Sequence, residues 1–321
     1  MGPHLSADPC DVAPCRARER TARAERGTLA DGLARFVQRI GPAPRPLDLA
    51  FGIDAAVRSQ IAAPLADGPT ARLLALLTPY LEPLFPVDLG RYGVEPADRV
   101  APASSPALHG ALEAATRALS GRPLALFCGR RPGLYAALEN TRPPSLVLST
   151  DVASLPPGAI AFVTARSVAL AMGGWALLGK FAPRDVPILC ELAARFAGGD
   201  PPARGLPPDR AGAFLAALDR SVPPSMRDYL AGLGPASAAE LAGLDPLEFT
   251  SAVEWTANRL ALLHAGDLYG ALVGLGRLQR QGAAPGAYPA TAITRPDLLD
   301  LARFALSDRF LDLRGMLLGW P

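Results

Sequence analysis

His109 and Glu113 stand one helical turn apart, a spacing that can aim an imidazole and a carboxylate at a common ion. Such a pair arises easily by chance, and no third ligand type lies nearby. The chain has two other histidines, His4 and His264. His4 belongs to a polar N-terminal stretch. His264 falls at the end of an apolar helical pattern, in "HAGD", with Gly266 as the stop. A histidine there is favoured by the helix dipole, and with Asp267 it forms the one acid–base pair that could serve an enzyme of another class. Cys10 and Cys15 match no zinc-knuckle spacing, whereas Cys128 and Cys190 sit in apolar runs and read as core thiols. There is no Gly-x-Ser-x-Gly elbow and no phosphate loop. The run "GLGRLQRQG" follows a helical pattern, not a strand, so it is no dinucleotide fingerprint.

The elements that would hold such residues are mostly helical. Leu29, Leu33, Phe36, Val37 and Ile40 recur at helical spacing across 21–40, before Gly41 and Pro42. Further helices are expected at 70–84, 107–120, 158–179, 184–197, 208–220, 224–232, 236–242, 246–264, 266–280 and 296–317. Pro296 after Thr294 and Arg295 suits a first helical position, where the missing N–H costs nothing. Three short apolar runs, 123–128, 133–139 and 145–150, separated by "GRRP" and "NTRPP", read as adjacent strands. The expected fold class is therefore α+β, mostly helical, with a small sheet of about three strands. The segments are taken as a tail (1–20), an N-terminal helical region (21–122), a core (123–280) and a C-terminal helical extension (281–321).

Composition excludes several functions. Among 321 residues, 32 Lys and Arg balance 30 Asp and Glu, for a net charge of +2. No basic face or arm marks a nucleic-acid binder. The first thirty residues lack the apolar core of a signal peptide, which points to the cytoplasm. Residues 159–178 approach the length of a membrane span, and a peripheral membrane role for this helix is one alternative. A central Arg166 costs about 2.5–3.5 kcal/mol on insertion scales, and Gly173 and Gly174 follow, so a buried helix is expected and a membrane role is not.

Arg166 is the puzzle in that helix, "IAFVTARSVALAMGG". Downstream, 253–273 reads "VEWTANRLALLHAGDLYGALV". This resembles the second metal-binding helix of zinc metallopeptidases of the CAAX prenyl protease and HtpX type, with its Glu-x-x-Ala-Asp-Arg pattern. Glu254, Ala257 and Arg259 match, and Asn258 replaces the aspartate. The strand and turn before residue 158 are similar to the approach to that family's His-Glu-x-x-His helix. Ala165 and Ala169 stand where the histidines would be, and Arg166 where the general-base glutamate would be. The resemblance runs from about residue 123 to residue 275.

What it implies is a former metal site: Ala165, Arg166, Ala169, Glu254 and Asn258. In the family Glu254's position is the third zinc ligand. Alanine has no ligand atom, and arginine neither accepts a proton nor sits comfortably beside a cation. The resemblance therefore implies no metal, no cofactor and no catalytic residue. It implies a pseudoenzyme that serves as a scaffold or binds a protein partner, with Arg166 forming a two-pronged pair with Glu254. The C-terminal run "DLARFALSDRFLDLRGML" also resembles the ends of large bacterial tetratricopeptide-repeat proteins. Apart from any resemblance, small residues at 165 and 169 suit a close helix crossing, Glu254 suits a surface position, and Arg166 can instead reach solvent along the helix surface.

Overall fold

The computed structural model describes residues 46–47, 52–119, 121–181, 183–278 and 295–319. The helix expected at 21–40, His4, Cys10 and Cys15 lie outside them. Among the described residues are twelve α-helices and a three-stranded mixed sheet, so the mostly helical α+β class holds. The helices are α1 (Ala55–Ile61), α2 (Pro69–Leu81), α3 (Pro106–Ala118), α4 (Pro157–Met172), α5 (Val186–Phe196), α6 (Pro208–Ser221), α7 (Pro224–Ala231), α8 (Gly234–Ala242), α9 (Pro246–Ala265), α10 (Leu268–Leu278), α11 (Pro296–Ala305) and α12 (Asp308–Leu318).

Strands β1 (Ala125–Gly129), β2 (Ala136–Glu139) and β3 (Ser145–Ser149) pair in the order β1-β3-β2. β3 runs parallel to β1 and antiparallel to β2. Sequence order suggests that β1 and β2 are neighbours; instead β3 lies between them. β3 is "SLVLS", buried at every position. A strand covered on both faces belongs in the middle, and the half-exposed "AALE" of β2 takes the edge.

α4 is the axle of the fold. Pro157 occupies its first turn, and ten of its sixteen residues are buried. Thr164 and Ser167 return their hydroxyls to the carbonyls of Ile160 and Val163, which lets polar side chains sit inside. A helix that is apolar all round must be covered all round. Its main neighbours are α9, α10 and α3. The approach to α10 is very close: a Cβ on Gly270 would lie 2.6 Å from the carbonyl carbon of Gly158. Only glycine fits that crossing.

The helix expected to run to 179 stops at Met172. Gly174 takes φ +70°, and the Gly174 and Trp175 amides donate back to Ala171 and Leu170. This is a Schellman cap, which closes the last turn with a left-handed residue. A Cβ at Gly174 would also sit 2.5 Å from the Ala75 Cα of α2. The pattern expected as one helix over 296–317 is two. Ser307 leaves helical geometry and accepts from the Phe310 amide, so it caps α12. α1 was not foreseen in the sequence; its seven residues carry only two buried side chains, too few for a periodic signal.

One apolar cluster draws on residues 47 to 313 and holds α4 with parts of the sheet, α9, α10, α11 and α12. The 21–122, 123–280 and 281–321 segments thus share a core. A second cluster gathers α2, α5 and the first turns of α9 around Trp175 and Leu178. Leu170 packs against both. No helix among the described residues is long and apolar enough to cross a membrane. The apolar side chains of 159–169 face protein, which removes the surface that a peripheral membrane role for this helix would need.

Candidate functional site

Arg166 and the α9 positions singled out in the sequence come together. Arg166 Nε donates to Asn258 Oδ1 at 2.8 Å. A terminal nitrogen of the same guanidinium lies 3.7 Å from Glu254 Oε1. The expected two-pronged pair with Glu254 is therefore not formed: Asn258 takes the hydrogen bond and Glu254 supplies charge at a distance. The reason is register. Residues 254 and 258 stack one turn apart on α9, and Asn258 is fully buried while the Glu254 side chain is 39% exposed at the rim. Burial lowers the pKa of Arg166, and the charges of Glu254 and Asp297 oppose that fall.

Ala165 and Ala169 are both buried. Ala169 borders a separate cavity of about 230 Å³ whose walls include Thr256 and Leu260 of α9, not Glu254. Arg259, the third residue of the matched pattern, points elsewhere. It forks onto Asp300 of α11 at 3.0 and 2.5 Å, donates to the Ile61 carbonyl at 3.0 Å, and stacks over Phe304. It ties α11 and the end of α1 to α9, a role that nothing in the sequence announces.

Arg166 lines a cleft of about 320 Å³ between β2, α4, α9 and the turn at 175–180. At one end is a polar cluster that sequence reading missed. Glu139, at the end of β2, accepts from Lys180 Nζ at 2.7 Å and from the Tyr92 hydroxyl at 3.4 Å. Lys180 also donates to the Asn140 side chain and the Pro86 carbonyl. A lysine with three acceptors and a buried carboxylate with its charge matched form a satisfied network that anchors the edge strand. Burial, aided less by the charges of Glu139 and Asp88, pushes the Tyr92 phenol up to about 12, so it stays a donor at every ordinary pH.

The other candidates separate. His109 binds the Val100 carbonyl at 3.0 Å, holding α3 to the segment that bridges to β1. His264 is fully buried, and neither ring nitrogen has a hydrogen-bond partner. It makes no bond to Asp267, which instead caps α10 by accepting from the Gly270 amide. The dipole expectation for His264 is corrected: the carbonyls at the end of α9 are met by Arg314 of α12, which donates to Leu263. Cys190 is buried, which raises its thiol to about 12, and Cys128 is half-buried and raised by the same cause. Among the described residues no group of three His, Cys, Asp or Glu could hold a metal ion. No family model matches the chain, and no curated protein and no solved structure matches it.

Proposed function

We propose that the chain is a non-catalytic pseudo-metallopeptidase, working as a scaffold or protein-interaction module in the cytoplasm. The observation that carries the reading is the Arg166–Asn258–Glu254 contact. It joins the two helices on which the peptidase resemblance rests, α4 and α9, at the residues where that family places its base and its third ligand. A guanidinium at that position supplies fixed positive charge where a metal would otherwise supply it. The preserved carboxylate then keeps a counter-ion without any chemistry.

Two measurements test this. Elemental analysis of the purified chain, and dialysis against zinc, are expected to give far less than one zinc per chain; a stoichiometric zinc unaffected by Glu254→Gln sinks the proposal. Replacing partners of Arg166 is expected to be asymmetric. Asn258→Leu strips the one hydrogen bond that a nearly buried cation makes among the described residues and is expected to cost about 1–3 kcal/mol in chemical denaturation. Glu254→Gln, at a half-exposed carboxylate 3.7 Å away, is expected to cost about 1 kcal/mol or less. Adding Arg166→Met to Asn258→Leu is expected to recover part of the loss, because the unpaired charge goes with it. A larger cost at Glu254 than at Asn258 contradicts the assignment of the hydrogen bond.

A further inference from the structure

The geometry points to the β2–α4–α9 cleft as a binding site for a small apolar carboxylate, with the Arg166 guanidinium as its anchor. The inference rests on the cleft alone and stands whether or not the fold is a former peptidase.

Arg166 is the first observation. Its side chain is only 11% exposed, yet among the described residues just one of its five N–H groups, that of Nε, makes a hydrogen bond. The nearest carboxylate oxygen is 3.7 Å away, beyond hydrogen-bonding reach. A guanidinium this deeply placed normally satisfies its fork. The unfilled donors belong to a residue that lines an open cleft.

Trp175 is the second. It lines the same cleft, is 7% exposed, and its indole N–H is buried without a partner. The remaining cation in the wall at depth, Lys180, has all three donors engaged, so it adds nothing for a ligand. Leu138, Leu170, Leu178 and Val253 make the apolar part of the wall, and Tyr92, Ser167, Thr250 and the exposed Arg91 add polar groups. Mostly apolar walls with one charged donor fork, at a volume near the lower end of ligand pockets, suit a small molecule.

Charge selects the class. The planar guanidinium fork of Arg166 matches a single carboxylate. Glu254 at the rim would repel a dianion such as phosphate. The apolar walls then take an aryl or alkyl group. Two sources share this chemistry: a free arylalkanoic acid, and the C-terminal carboxylate of a peptide ending in an apolar residue.

Calorimetric titration of the full chain tests it with 3-phenylpropionate, its uncharged amide, inorganic phosphate, and a tripeptide ending in Phe with a free or an amidated C-terminus. The acid is expected to bind, with the amide weaker by about tenfold or more. Arg166→Gln is expected to lose a similar factor. Glu254→Gln is expected to tighten the acid and leave the amide unchanged, a gain that a purely structural Glu254 would not produce. Tighter binding of the free-ended tripeptide than of the acid identifies a chain end as the source, and the reverse identifies a small acid. Equal binding of acid and amide, tighter binding of phosphate, or no binding of the acid by either wild type or Glu254→Gln overturns the inference. The acid–amide comparison uses wild-type protein, so it holds even where Arg166→Gln does not fold.

Discussion

Val163→Asp is expected to cost about 3 kcal/mol or more, seen as a large drop in the urea midpoint and in the thermal transition. Val163 is fully buried in the middle of α4. A Cβ built on Gly274 of α10 would lie 3.2 Å from one of its methyl groups, so the two helices leave no room there for water. An aspartate at this position has no path to solvent, and the nearest cation along the helix, Arg166, is turned to Asn258 of α9. It either keeps its charge unpaired or takes up a proton, and each course is costly in an apolar setting. The lost methyl contacts add to this. An exposed position on the same protein sets the scale: Val87→Asp, at 46% exposure, is expected to change stability by no more than about 0.5 kcal/mol. A Val163→Asp variant as heat-resistant as wild type would mean that α4 is not the centre of the core.

Acidification from pH 6.5 to pH 4 is expected to remove about 3 kcal/mol of stability through His264 alone. Burial, helped by the nearby Arg314 cation, lowers its pKa from 6.5 to about 4. The folded chain therefore holds this ring neutral. Above pH 6.5 neither folded nor unfolded chain carries the proton, and the residue imposes no penalty. As pH falls below 6.5 the unfolded chain binds a proton that the folded chain does not, and stability drops by about 1.4 kcal/mol per unit. Below pH 4 both states are protonated and the loss levels off. Paired carboxylates contribute to acid sensitivity in the same direction, so the informative quantity is a difference. Urea midpoints measured from pH 7 to pH 4 are expected to fall less steeply in His264→Leu than in wild type. Identical slopes would show that the ring finds a proton acceptor when it charges. The two missing hydrogen bonds at His264 also make the leucine variant inexpensive at pH 7, since no partner is orphaned by it.

Much of the fold was legible. α2, α3 and α5 to α9 begin and end within a few residues of their apolar patterns, because Gly or Pro follows each of them within three residues. The three strands were legible as short apolar runs between turn residues. Their order was not, because the central place goes to whichever strand is covered on both faces, and that depends on helices elsewhere in the chain. The end of α4 was missed for a related reason. Gly173 and Gly174 lie inside a continuous apolar run, and the close approach to Ala75 of α2, which leaves no room for a Cβ at 174, exists only in the folded chain.

The site divides along the same line. Arg166 stands out in any reading, since a charge amid fourteen apolar or small residues demands an explanation. Glu254 and Asn258 stand out only through the spacing of α9. Residue types alone determined that these positions cannot hold zinc by histidine, that the chain carries no strong charge bias, and that it builds a helical protein with a small sheet. Which atom Arg166 binds was decided in three dimensions. The choice of Asn258 over Glu254 depends on how α9 is rotated against α4, which buries Asn258 and leaves Glu254 at the rim. Lys180, Glu139 and Tyr92 come from three separate segments, so their network exists only once the edge strand has been laid against the turn after α4. A sequence lists its charges in one dimension; burial, which gives them their energies, is a property of the packed whole.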